Sequence, residues 1–260
     1  MCNFATNLSA IQQGDCLELL KTVPDGSVSL VIADLPYGIT DAKWDKKIPL
    51  EPLWAELMRV AKPNAAFLFF GVSKFSIELA ASNLKLYRYR WVWEKNAPIG
   101  FLQAKKMPLR NTEDILVFYK KLPTYNPQMR QGESHKRGNI WNGGNVYRLR
   151  DRCIGESSDK FYPTEILKFK ADRISGHGTV KPVSLLRYLI RTYSNEGNTV
   201  LDPTMGTGST GLAAKIEKRD FIGFELDEKF FNIAKERIEK GDYKEPKVEK
   251  KDERQLELPI

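Results

Sequence analysis

The chain has 260 residues, 42% of them hydrophobic, and a formal net charge of +8. That length and apolar content suit one α/β domain of the larger kind, or one domain carrying an insertion. No apolar run approaches a membrane span and Met1-Cys2-Asn3-Phe4-Ala5 does not open a signal peptide, while three scattered cysteines (Cys2, Cys16, Cys153) and two distant histidines (His135, His177) argue for a reducing, cytoplasmic setting and against a disulfide scaffold, a zinc knuckle or any other metal site.

In chain order, Leu8 to Gln12 reads as a short strand that ends at Gly14-Asp15-Cys16, with a helix over Leu17 to Lys21. The turn Pro24-Asp25-Gly26 delivers Val28 to Ile32, a β-branched apolar run that reads as a buried strand. It stops at Ala33-Asp34-Leu35-Pro36-Tyr37-Gly38: a carboxylate, a proline, an aromatic ring and a glycine at the carboxyl end of a strand, where open α/β sheets place their ligands. Asp34 offers an acceptor, Pro36 a carbonyl and Tyr37 a stacking surface, together able to hold a planar amino-heterocycle. The same residues also suit an ordinary turn with a capping Asp.

Leu53, Leu57 and Val60 space an amphipathic helix with Pro52 early in it, ended by Pro63-Asn64, and Ala65 to Val72 is a second buried strand. Ser73 to Asn83 has a helical pattern. Tyr87 to Glu94 and Asp114 to Tyr119 are strands, with a Gly/Pro/Lys-rich loop from Lys95 to Arg110 between them. From Lys120 to Ser175 regular patterning fades while aromatic and basic residues persist, which points to an inserted, functional lobe. Order resumes with a helix whose face is marked by Val183, Leu186, Ile190 and Tyr193. A strand over Asn198 to Leu201 then leads into Asp202-Pro203-Thr204-Met205-Gly206-Thr207-Gly208-Ser209-Thr210-Gly211. A helix to about Lys218, a strand over Phe221 to Phe224 and a last helix from Asp227 to about Lys240 follow, before a charged tail. The expected layout is therefore 1–120 and 176–240 as two parts of one domain, 121–175 as an insert and 241–260 as a disordered tail. Ala81 to Ser175 holds 19 Lys and Arg against 9 Asp and Glu, so the positive charge is concentrated there, as on a nucleic-acid-binding face.

Gly206-x-Gly208-x-x-Gly211 lies between a strand and a helix, and Glu225 ends the next strand, where an acid accepts ribose hydroxyls. With the flanking elements and the acid in register, this favours a nucleoside-containing cofactor over a plain tight turn. Asp202 beside the glycines would repel a pyrophosphate and suits a cationic ligand better, such as S-adenosylmethionine.

Asp202-Pro203-x-x-Gly206-x-Gly208-Ser209-Thr210, taken with Asp34-Leu35-Pro36-Tyr37, resembles the paired motifs of the S-adenosylmethionine-dependent DNA amino-methyltransferases. The catalytic motif precedes the cofactor motif, the order of their β class, and the resemblance spans nearly all of Leu8 to Lys240. It implies a Rossmann-like α/β fold with a mostly parallel, doubly wound sheet and an inserted target-recognition region. It further implies Asp34, Pro36 and Tyr37 as catalytic residues, Asp15 on the cofactor's adenine, Glu225 on its ribose, and Asp202, Gly206 and Gly208 with Thr179 and Lys181 around its methionine part. Cys16, Asp34, Pro203, Ser209 and Leu226 complete the implied cofactor set. Three positions depart from the family pattern: Leu35 and Gly178 stand where it has Pro, and Thr204 where it has Phe, a change that bears on cofactor packing.

The implied reaction is methyl transfer to the exocyclic N6 of adenine in double-stranded DNA. Cytosine N4 is the alternative, and an RNA methyltransferase or a non-catalytic DNA-binding protein are further readings. Asp34 favours adenine, since in this family Asp at the first catalytic position goes mostly with adenine and Ser with cytosine. Cytosine C5 chemistry is rejected, because neither Cys16 nor Cys153 follows a proline. A homodimer and a companion restriction endonuclease are left open as partners. Side chains able to read base edges include Tyr125, Arg130, His135, Arg137, Asn139, Trp141, Asn142 and Arg148.

Overall fold

The computed structural model describes residues 9–38, 46–132, 159–172 and 180–243. Its elements are β1 (Ser9–Gln13), α1 (Cys16–Leu20), β2 (Val28–Ala33), α2 (Leu50–Val60), β3 (Ala61–Gly71), α3 (Ser73–Ser82), β4 (Tyr87–Ile99) and β5 (Arg110–Phe118). Three short strands follow, β6 (Arg130–Gln131), β7 (Lys160–Phe161) and β8 (Ile166–Lys168). The chain then returns to α4 (Val183–Tyr193), β9 (Thr199–Asp202), α5 (Ser209–Ile216), β10 (Asp220–Glu225) and α6 (Glu228–Lys240). Eight strands form the main sheet in the order β1-β10-β9-β2-β3-β5-β4-β8, and β6 pairs with β7 apart from it. β1, β10, β9, β2 and β3 run parallel, and β5 is antiparallel to both its neighbours.

Both faces of the sheet are covered, which is why its central strands read as unbroken apolar runs. On β2 and β3, Leu30, Ile32, Ala66, Leu68 and Phe70 face one way and pack with residues of α4, α5 and α6. Val31, Ala33, Phe67 and Phe69 face the other way and pack with residues of α1, α2 and α3. On that second face Trp54 sits edge-on to Phe67, Phe69 and Phe118, with ring centroids 5.5, 5.2 and 5.1 Å away. α2 buries Leu53, Trp54, Leu57 and Val60, close to the stripe its spacing predicts.

The structure differs from the sequence reading in three places. α2 ends at Val60, and β3 starts at Ala61 and runs through Pro63-Asn64. The β2–β3 register jumps there, from Val28↔Ala61 to Leu30↔Ala66, so the proline's missing N–H falls where the ladder is already interrupted. The expected loop from Lys95 to Arg110 is shorter, because β4 extends to Ile99 and pairs with Arg110 at the start of β5. Finally, β8, which lies within 121–175, joins the main sheet parallel to β4, with Leu167 buried opposite Trp93.

Of the tail, residues 244–260 lie outside the described residues. Among the described residues no helix is long and apolar enough to cross a membrane. Phe69→Ala, which opens a void beneath Trp54, should cost about 3–5 kcal/mol of stability, read from the urea midpoint.

Candidate active site at the switch point of the sheet

From β2 the chain steps to β3 in one direction, and from β9 it steps to β10 in the other; β2 and β9 are neighbours, paired at Leu30↔Val200 and Val31↔Leu201. Such a reversal opens a crevice at the carboxyl ends of the two strands. Asp34 follows the last residue of β2, and Asp202 is the last residue of β9.

In the loop after β2, Leu35 turns inward and is only 2% exposed, packed in the cluster beneath α1, α2 and α3. Asp34 lines the crevice instead. The Tyr37 hydroxyl donates to its Oδ1 at 2.7 Å, and Lys181 Nζ donates to its Oδ2. The Tyr37 ring lies 4.8 Å from that of Phe75 at the start of α3, inclined by 40°.

Lys181, just before α4, is buried among charges. Besides Asp34, it has Glu113 Oε2 at 3.4 Å, and its ammonium sits 5.0 Å from the Phe70 ring centre. Burial alone would drive the ammonium toward neutrality, but Asp34 and Glu113 more than offset it and its pKa is raised. Glu113, at the site end of β5, is its counterpart: burial opposes its charge, yet Lys181 and Lys95 together hold its carboxyl below the ordinary range. Lys95 Nζ bonds Glu113 Oε1. The result is a chain of alternating charge, Lys95–Glu113–Lys181–Asp34, whose two middle members are buried.

The second loop is shaped by glycine. Gly206 has φ 53° and Gly208 φ 77°, and a Cβ on Gly208 would stand 2.8 Å from that of Ala234 in α6. Asp202, 4% exposed, accepts from Thr204 N at 3.0 Å and from the Thr210 hydroxyl at 2.6 Å. Burial nevertheless pushes its pKa up to about 7, helped by the fields of Asp34 and Glu225 and resisted by those two hydrogen bonds. Glu225, ending β10, accepts from the N–H groups of Gly206 and Asp227, both at 2.9 Å, and burial raises it too. The Thr204 hydroxyl donates to the Asp34 carbonyl at 3.2 Å and so ties one loop to the other. From α6, Arg237 donates to the Thr207 carbonyl, and it reaches the hydroxyls of Thr207 at 2.9 Å and Ser209 at 3.3 Å.

Between the loops lies a crevice holding about 420 Å3 of empty space, part of it open to solvent, with Asp34, Lys181, Asp202, Gly206 and Ser209 in its walls. Pro203 is buried next to Asp202, Glu225 supports the crevice through Gly206, and Pro36 and Tyr37 are half-buried in the Asp34 loop. Gly14 N bonds the Glu225 carbonyl at 2.9 Å and brings Asp15 next to β10. There Asp15 is exposed and caps α1 through Leu17 N at 2.8 Å. Cys16 is buried, its thiol pushed up to about 12 by burial and by Asp15, and Leu226 is 64% exposed. Thr179 lies outside the described residues, as do His135, Arg137, Asn139, Trp141, Asn142 and Arg148; Tyr125 and Arg130 are within them. Sequence reasoning passed over Glu113, which stands just before the expected strand Asp114 to Tyr119, and Arg237, one charge among many on a surface helix.

An open α/β sheet with an Asp-x-Pro-Tyr loop and a glycine loop facing each other across its switch point is the architecture of a Rossmann-like transferase. The model of a family described as DNA methylase, the N6/N4 methyltransferases, matches residues 28–236, and the chain belongs to that family. Among curated relatives, the type II methyltransferase M.HinfI of Haemophilus influenzae is 26% identical over 89% of this chain and 68% of its own length. The DNA adenine methyltransferase YhdJ of Escherichia coli is 26% identical over 91% of this chain and 84% of its own. Among solved structures, the M1.HpyAVI–SAM complex superposes with a TM-score of 0.61 at 24% identity, covering 88% of this chain and 98% of that one. The cytosine-N4-specific PvuII DNA methyltransferase does so with a TM-score of 0.65 at 17% identity, covering 90% of each.

Gly208→Ala forces a side chain into a left-handed conformation against α6. It should lower stability by about 1–3 kcal/mol, seen as a drop in the thermal midpoint.

Proposed function

We propose that this DNA methyltransferase acts on the N6 amino group of adenine, with S-adenosylmethionine as donor and duplex DNA as substrate. The observation that carries the reading is the Asp34 carboxylate, fixed between Tyr37 and Lys181 at the end of β2 and facing the Asp202–Ser209 loop. The relative titled a DNA adenine methyltransferase, similar over 91% of this chain, supports adenine. Relatives titled type II methyltransferases support a restriction-modification setting with a companion endonuclease.

The residues fit the donor. Glycines at 206 and 208 let backbone approach it, and Asp202, buried, and Glu225, half-buried, are carboxylates with no cation paired to them among the described residues. When bound, S-adenosylmethionine supplies a methyl group on a positively charged sulfur. Glu225 would take the ribose hydroxyls, since each carboxylate oxygen that accepts a backbone N–H still has a lone pair to offer. Asp202, Gly206, Gly208 and Ser209 would lie along the methionine part, with Pro203 next to Asp202. Asp15, Cys16 and Leu226, at the ends of β1 and β10, would border the adenine. Lys181 and Thr179 belong to the same proposed donor set, and Lys181 also holds Asp34 in place.

An exocyclic amine is a weak nucleophile because its lone pair is delocalised into the ring. Asp34 and the Pro36 carbonyl would accept its two N–H bonds, which favours a tetrahedral nitrogen with a localised lone pair. The positive charge that develops on that nitrogen then falls beside a carboxylate already in place. Tyr37 would stack on the ring once the base has left the duplex. The segment 121–175, in the position of the family's target-recognition region, would read the sequence around it.

Tritium transfer from labelled donor to a varied set of genomic DNAs, followed by chromatography of the hydrolysed bases, tests the reading: label in N6-methyladenine supports it, and label in N4-methylcytosine or in no base overturns it. Asp34→Ala should abolish transfer and leave donor affinity within about threefold, because Glu113 still pairs Lys181 and the donor loop is built separately. Loss of donor binding with transfer intact would reverse these roles.

Donor affinity should also depend on pH. A cationic donor favours ionised Asp202, whose folded pKa is raised to about 7, so a proton must leave before binding below that pH. Affinity should fall by up to about tenfold per pH unit on the acid side and level off above it. Asp202→Asn should flatten the profile, which calorimetric titration between pH 5 and 8 would show.

A further inference from the structure

The hairpin joining β4 to β5 leaves the sheet at the edge where the site lies. β5 is antiparallel to β3, and its Asp114 faces Gly71 at the carboxyl end of β3, so the hairpin projects past the strand ends that carry Asp34 and Asp202. Arg110, which pairs with Ile99, lies four residues before Asp114, so at about 3.3 Å each the paired end of the hairpin stands roughly 13 Å beyond the end of β3, and β4 bulges on the way. Residues 96–108 are all exposed.

The tip is nonetheless a built turn. Gly100, at φ 98°, opens a 3-10 helix over Phe101–Gln103, and the N–H groups of Lys106 and Met107 bond the Gln103 carbonyl at 2.8 and 3.0 Å. This ordered turn presents Phe101 at 67% exposure, Leu102 at 103% and Met107 at 52%. Nothing in the described residues covers these side chains, and a clustered apolar tip marks a contact surface.

Charge says what the contact is with. Residues 95–112 contain Lys95, Lys105, Lys106 and Arg110 and no acid. Lys95 is committed to Glu113, whereas Lys105 and Lys106 are exposed and form no ion pair among the described residues. An apolar wedge flanked by lysines matches DNA, where such side chains enter an opened base step while cations hold phosphates. A symmetric contact with a second copy of the chain would instead set these cations against their own kind.

We propose that the β4–β5 hairpin tip touches the target duplex beside the displaced base, with Lys105 and Lys106 on the phosphates and Phe101 and Leu102 packed against the bases at the opened step. The proposal rests on the DNA methyltransferase reading and extends it to a segment outside 121–175.

The test measures affinity for a fluorescent mixed-sequence duplex across a salt series, alongside methyl transfer to genomic DNA. Lys105→Gln with Lys106→Gln should reduce the slope of log affinity against log salt by about two. Phe101→Ala with Leu102→Ala should leave that slope unchanged and lower transfer by about tenfold. Donor affinity should be unchanged in both variants, which shows that the fold is intact. An unchanged slope in the lysine variant overturns the phosphate contact, and a wild-type transfer rate in the apolar variant overturns the packing on bases. A dimer in sedimentation that the apolar variant dissolves would make the tip a self-interface and also overturn the proposal. Wild-type protein that transfers no methyl group to any DNA defeats the activity reading instead, and the salt slope still decides the phosphate contact.

Discussion

The pairing of β2 with β9 is the constraint on which the rest depends. It spans only Leu30↔Val200 and Val31↔Leu201, yet it joins segments some 170 residues apart and sets their carboxyl ends side by side. Parallel neighbours cannot be joined by a tight turn, so everything from α2 to α4 is an excursion that must leave β2 and return beside it. The apolar faces of β2 and β3 hold that excursion in place on both sides of the sheet. Polar chemistry is thereby confined to the loops at one edge.

The two loops treat their carboxylates oppositely. Asp34 is compensated: Lys181 lies against it, and Glu113 and Lys95 stand behind Lys181. An isolated buried ammonium would be costly, so the alternating chain makes the burial of its two middle members tolerable and fixes the Asp34 carboxylate from behind. Asp202 and Glu225 have hydrogen bonds but no paired cation among the described residues, and burial raises both. A neutral amino group thus meets a carboxylate already oriented, while a cation meets carboxylates whose ionisation it would itself favour. On the proposed reading these are the acceptor and the donor of the methyl group, sorted by electrostatics within a single crevice.

The sequence revealed most where local chemistry and tertiary role coincide. β2 and β3 were legible because strands buried on both faces are apolar runs, and the placement of Asp34, Asp202 and Gly206 around one crevice because open α/β sheets gather the loops at their strands' carboxyl ends. Pro63 misled because the bulge that absorbs it depends on the register with β2, which no local pattern encodes. β8 is three residues long and is a strand only because β4 lies beside it. Glu113 and Arg237 were missed for the same reason, since their partners, Lys181 and Thr207, lie far along the chain. Lys181 was legible only through the family resemblance; the structure sets it in the wall of the crevice and against Asp34.

The departures from the family pattern show what the loops require. Leu35 replaces a proline with a side chain that is 98% buried, so the loop gives up a fixed φ and gains an anchor in the core beneath α2. Thr204 replaces an aromatic ring with a hydroxyl that bonds the Asp34 carbonyl. Neither position supplies a group that the chemistry uses, and both substitutions fasten the Asp34 loop, one to the core and one to the glycine loop. The second fastening acts on the backbone of Asp34 itself and so links the glycine loop to the residue whose carboxylate lies opposite. The distance between the two loops is therefore set by a direct bond as well as by the strands below.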